Sequence, residues 1–83
     1  MKAEIYTVDY CPYCKAAKKF FSEHNIEYTE HDITEDETIM RKKLGEMFDI
    51  KGEVTVPQII LNGQYIGGYS DMIYAYNEGK LSL

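Results

Sequence analysis

Short β-prone runs alternate along this chain with longer stretches of helical period. Residues 4–8 (EIYTV) are β-branched and aromatic, and predict a buried strand. Beyond them Cys14, Ala17 and Phe21, with Ala16 and Phe20 alongside, recur at helical spacing. Lys15, Lys18, Lys19, Ser22 and Glu23 take the opposite side. Asn25 is placed to end this helix as a left-handed cap. Residues 27–33 (EYTEHDI) alternate and are polar, which suits an edge strand. Strand, helix and strand together form a right-handed βαβ unit.

The second half of the chain continues in the same terms. Thr34 and Glu37 are spaced as a capping box, with Glu35 and Asp36 also favouring a helix start. Met40, Leu44, Met47 and Phe48 give that helix its inner stripe, with Arg41, Lys42 and Lys43 turned outward; Gly45 weakens it. Residues 49–54 read as a loop and residues 58–61 (QIIL) as a third strand. Asn62-Gly63 is a two-residue hairpin turn into a fourth strand at Tyr65 and Ile66, which Gly67-Gly68 breaks. Ser70 or Asp71 opens a last helix, lined inside by Met72, Ile73 and Tyr76 and ended by Gly79. The order is βαβαββα: an α/β fold on a four-stranded mixed sheet flanked by helices. Residues 1–83 read as a single domain.

Charge and composition narrow the function. A formal net charge of −5 argues against nucleic acid, which demands a basic excess. The acidity is uneven: Lys15, Lys18 and Lys19 stand together, while Glu27, Glu30, Asp32, Glu35, Asp36 and Glu37 come later. The opening Met1-Lys2-Ala3-Glu4 runs directly into a strand pattern without an apolar leader, and no run has membrane length, so the expected location is the cytoplasm. The two cysteines, Cys11 and Cys14, form one tight pair. A secreted disulfide framework needs distant pairs; this spacing points to thiol chemistry in a reducing compartment.

Cys11-Pro12-Tyr13-Cys14 lies where the first strand hands over to the first helix. Pro12 has a fixed φ and no N–H, and so suits the first position of a helix. Cys11 then faces the unpaired N–H groups of the first turn, where an anion is stabilised, and its thiol pKa is expected to fall. Cys14 follows one turn later on the same side, within reach of a disulfide. The competing readings are a pair of buried structural cysteines or a zinc site. Burial would favour apolar neighbours, and a closed zinc site wants four ligands where only His24 and His31 are to hand, off the finger spacing. The expected metal content is therefore none. Lys15 is at most a weak contributor of positive field.

Three separated motifs carry a family resemblance: Cys11-Pro12-Tyr13-Cys14, Thr55-Val56-Pro57 and Gly67-Gly68-Tyr69-Ser70-Asp71. In their order and in the elements between them the chain resembles the dithiol glutaredoxins over nearly its whole length. The resemblance implies a thioredoxin-like fold with a cis peptide bond before Pro57, and a glutathione-dependent thiol–disulfide oxidoreductase with Cys11 as nucleophile and Cys14 as resolving thiol. It also implies a glutathione site. Val56 would pair with the peptide through its backbone, Gly68, Ser70 and Asp71 would hold the γ-glutamyl end, and Tyr13 and Thr55 would border the cleft. Glutathione would serve as co-substrate with no bound cofactor, and the partners would be glutathionylated or disulfide-bearing proteins, with ribonucleotide reductase as the family's suggestion. A monomer is the simplest expectation. The chain departs from the family where Val8 stands in place of the usual lysine, leaving Arg41, Lys42 and Lys51 as candidates for the glycine carboxylate. A thioredoxin-like reductase fed by a flavoprotein, and an iron–sulfur cluster module, are the rival readings.

Overall fold

The computed structural model describes residues 1–81. Its elements run β1 (Lys2–Thr7), α1 (Pro12–Glu23), β2 (Glu27–Asp32), a 3-10 turn (Thr34–Asp36), α2 (Glu37–Met47), β3 (Gln58–Leu61), β4 (Gln64–Gly67) and α3 (Tyr69–Asn77). The four strands form one mixed sheet in the order β2-β1-β3-β4. β1 pairs parallel with β2 from Lys2 opposite Glu27 to Thr7 opposite Asp32, and antiparallel with β3, Ile5 facing Ile59. β2 is an exposed edge, as its polar alternation requires. The β3–β4 hairpin turns at Asn62 (φ 49°) and Gly63 (φ 80°), the left-handed pair that a tight turn needs.

Alternation along β1 divides the interior in two. Ala3 and Ile5 join Ala17, Phe20 and Phe21 of α1, Ile59 and Leu61 of β3, and Met72 of α3 in one cluster. Val8, just past the strand, joins Cys11, Cys14, Ile33, Val54 and Leu44 of α2 in a second, against which Tyr6, Met40, Phe48, Ile50 and Val56 pack. Each large side chain buried here contributes about 1.5–3 kcal/mol by leaving water. The second cluster contains both cysteines, so the packing that holds α2 also fixes the reactive end of the molecule.

Several expectations are corrected. β1 starts at Lys2 and ends at Thr7, before Val8. Thr34 and Glu37 make no capping box: the Thr34 hydroxyl donates to Asp32 and accepts the Asp9 N–H at 2.9 Å, and α2 has no side-chain cap. α3 opens at Tyr69, capped by Gly68, rather than at Ser70 or Asp71. Met47 is 59% exposed, Tyr76 lies at the surface against Phe20, and Arg41 is half-buried rather than turned outward. The reason is rotational. With about 100° per residue, Arg41, Leu44, Gly45 and Phe48 fall on one side of α2 and Met47 falls outside it. Gly45 lies on the packed side, where a Cβ would lie 3.1 Å from the Val54 side chain.

Candidate active site

The strand β1 ends, three residues turn the chain, and Cys11 becomes the N-cap of α1 with Pro12 as its first helical residue. The Cys11 Sγ accepts the Cys14 backbone N–H at 3.1 Å, the bond that an N-cap side chain makes with the first turn. On its other side the Cys11 thiol donates to the Val56 carbonyl at 3.7 Å. Cys11 is 7% exposed, well covered but at the helix beginning that its chemistry requires.

Cys14 lies deeper, 1% exposed. Burial, and next the hydrogen bond that it donates to Cys11, push its thiol up to about 12, partly offset by the Val8 backbone N–H and the Lys18 charge. Both thiols are free. The pair is thus asymmetric, with an outer sulfur held by the Cys14 N–H and an inner one kept protonated.

Beside them runs an open groove of about 340 Å³ lined by Tyr13, Thr55, Val56, Pro57, Gly68, Tyr69, Ser70 and Asp71. Every residue assigned to glutathione from the sequence is in that lining, and Tyr69 completes it. Tyr13, 63% exposed, and Tyr69 stand with ring centroids 6.0 Å apart at one end. The Val56–Pro57 bond is cis. Asp71 Oδ2 accepts the Gly68 N–H at 2.8 Å, capping α3, and among the described residues no hydrogen bond engages its second oxygen. Gly67 must be glycine here: its φ is +115°, and a Cβ would meet Asp71 Oδ2 at 2.6 Å.

Among the three cations considered for the glycine carboxylate, the structure treats each differently. Lys42 is exposed, and Lys51 is exposed and 3.7 Å from Asp49. Arg41 instead reaches the loop leading into the groove, where its Nη1 donates to the Val54 carbonyl, while Nε and Nη2 each lie 2.9 Å from Glu37 Oε2. Glu37 in turn accepts the Tyr10 hydroxyl at 2.6 and 2.7 Å. The sequence reading missed this chain of contacts. Its one visible signal was the Glu37–Arg41 spacing of four, which puts the two side chains together on a helix. Lys15 is exposed, and Lys18 pairs with Glu30 at 2.9 Å.

The glutaredoxin family model matches residues 3–66. Glutaredoxin-C4 of Arabidopsis thaliana is 42% identical over 98% of this chain and 59% of its own. Glutaredoxin 3 of Escherichia coli is 39% identical over 83% of this chain and 78% of its own. A buckwheat glutaredoxin solved as its glutathione complex superimposes with a TM-score of 0.82 at 26% identity, covering 95% of this chain and 71% of that one. The chain spans about three fifths of the length of the plant relatives that it matches, 59% and 58% for the first two.

Proposed function

This chain belongs to the glutaredoxin family, and from that membership and its site we propose that it is a glutathione-dependent thiol–disulfide oxidoreductase. The observation that carries the reading is the position of Cys11. Its sulfur caps α1, accepts the Cys14 N–H at 3.1 Å, and lies against Val56 of the groove.

With a glutathionylated protein, the Cys11 thiolate attacks the glutathione sulfur. A new bond joins Cys11 to glutathione, and the protein's thiolate leaves and takes a proton from water. A second glutathione, as thiolate, attacks the bound glutathione sulfur; glutathione disulfide departs and the Cys11 thiolate returns. With a protein disulfide, Cys11 forms the mixed disulfide and Cys14, losing its proton, attacks the Cys11 sulfur; the reduced protein leaves, and two glutathiones return the resulting Cys11–Cys14 disulfide to the dithiol as glutathione disulfide departs. The asymmetry of the pair serves this order. Part of what keeps Cys14 protonated is the hydrogen bond and charge of Cys11. Both disappear once Cys11 is in a mixed disulfide, so the resolving thiol ionises more readily at the step that uses it.

The groove suits a tripeptide. The Val56 backbone at the groove offers strand-like pairing to the cysteinyl portion. The N-terminus of α3 offers N–H groups to the γ-glutamyl carboxylate, and the free oxygen of Asp71 faces its ammonium. Tyr13 and Tyr69 close the side. On this reading the protein works as a monomer in a reducing compartment such as the cytoplasm, carrying electrons from glutathione to disulfide enzymes of which ribonucleotide reductase is one candidate.

The test is a pair of substitutions with glutathione as sole reductant. Cys11→Ser is expected to abolish turnover of a glutathionylated peptide, and Cys14→Ser to retain it while losing reduction of a protein disulfide. Equal loss in both variants on the glutathionylated peptide would overturn the assignment of roles.

A further inference from the structure

Residues 51–56 carry the chain from α2 to the groove, and among the described residues no backbone–backbone hydrogen bond outside helices and strands reaches them. Side chains hold their carbonyls instead. Gln58 Nε2 donates to the Thr55 carbonyl at 2.7 Å, and Arg41 donates to that of Val54. Val54 is the last core residue of the segment, 7% exposed, and the chain emerges from it directly into the groove as Thr55 and Val56.

Arg41 is itself fixed by Glu37, whose carboxylate also holds the hydroxyl of Tyr10, the residue before the nucleophile. The contacts close a ring: Tyr10 to Glu37, Glu37 to Arg41, Arg41 to Val54, then along the chain to Val56 and across 3.7 Å to Cys11. Three of the five guanidinium N–H donors are engaged by the protein. The Arg41 and Glu37 side chains are only 25% and 27% exposed, so their pairing is less screened than a surface pair. The Tyr10 hydroxyl first, and Arg41 after it, hold the Glu37 carboxyl below the usual range.

Resting on the proposed function, we propose that Arg41 is a positioning residue: held by Glu37 and Tyr10, it sets the Thr55–Val56 backbone at the distance from Cys11 that a bound glutathione must bridge. It acts through the loop and does not touch the substrate. Loss of the clamp therefore weakens productive binding of any glutathione conjugate and leaves the intrinsic reactivity of Cys11 intact.

The experiment compares wild type with Arg41→Met, Arg41→Lys and Tyr10→Phe, each checked for a native thermal transition. The substrates are a glutathionylated peptide and the same peptide carrying glutathione amidated at its glycine carboxylate. Arg41→Met is expected to raise KM roughly tenfold on both substrates, with kcat altered less. Arg41→Lys restores part of the loss. Tyr10→Phe, which removes one hydroxyl from a largely exposed ring, raises KM by about two- to threefold. Alkylation of Cys11 by iodoacetamide, a reagent too small to need the groove, is expected to keep its wild-type rate in all three. If the Arg41→Met defect vanishes on the amidated substrate, Arg41 binds the carboxylate directly and the positioning role is wrong. Unchanged KM, or slowed alkylation in step with turnover, also overturns it. Should Arg41→Met not fold, Tyr10→Phe decides by the same criteria. A wild type that turns over neither substrate defeats the functional reading itself, an outcome distinct from active variants with unaltered KM.

Discussion

Cys11 and Cys14 share one helical turn and meet opposite surroundings. The inner thiol, 1% exposed and raised to about 12, makes a prediction about stability. Its folded-state value lies above its unfolded value near 9, so the folded protein holds the proton more tightly. The stability this contributes is fully present below about pH 9 and is lost as pH rises toward 12. Between those limits the slope approaches about 1.4 kcal/mol per pH unit. Other groups titrate there too, so the quantity to measure is the difference between reduced wild type and Cys14→Ala in denaturant midpoint, from pH 8 upward. That difference is expected to move steadily against the wild type above pH 9. A difference independent of pH would mean that the sulfur is not desolvated as its burial indicates. This distinction between the two thiols was only half legible in the sequence. The helix start announced by Pro12 placed Cys11, whereas the depth of Cys14 depends on Leu44, Val54 and Ile33 arriving from elsewhere in the chain.

At the scale of elements, local signals succeeded wherever the chain makes its own partner. Asn25 does end α1: its φ is 55°, its N–H and that of Ile26 return to the carbonyls of Ser22 and Phe21, and the left-handed cap is complete without outside help. Asn25→Ala is accordingly expected to cost about 1 kcal/mol and Asn25→Gly to be close to neutral, both readable as shifts in urea midpoint. An alanine variant as stable as wild type would show that the cap matters less than the packing around it. Signals failed where a distant group outbid the local one. The Thr34–Glu37 spacing promised a capping box, but Asp32 and the Asp9 N–H engage the threonine hydroxyl and Tyr10 engages the glutamate. The stripe of α2 misled for a related reason. The side of α2 that packs carries Arg41 and Gly45 with Leu44 and Phe48, Gly45 closely against Val54, while Met47 is left out. The groove was legible because its residues fall within three short motifs. The clamp behind it was not, because its members are spread from Tyr10 to Val54.

For the whole molecule, the proposed function raises the question of how an acidic protein would recruit an acidic tripeptide. The chain carries a net charge of −5, and glutathione is a net anion at neutral pH. The groove contains no lysine or arginine among its lining residues, while Val8, where the family resemblance placed a lysine, is 3% exposed in the second core cluster. Arg41, the cation nearest in sequence logic, is engaged by Glu37 and the Val54 carbonyl. On the proposed function, long-range attraction therefore contributes little, and affinity would rest on contacts within a few ångströms: backbone pairing at Val56, the N–H groups opening α3, and the Asp71 carboxylate. Those contacts are shorter than the screening length at any ordinary ionic strength, which falls from roughly 30 Å at 0.01 M to about 8 Å at 0.15 M salt. The net repulsion between two anions is, by contrast, screened over that range. KM for a glutathionylated peptide is thus expected to stay within about twofold, or to fall, as sodium chloride is raised from roughly 0.01 to 0.15 M. A KM that climbs several-fold over that interval would mean that a fixed cation governs binding, and that the groove borrows one which its lining does not contain.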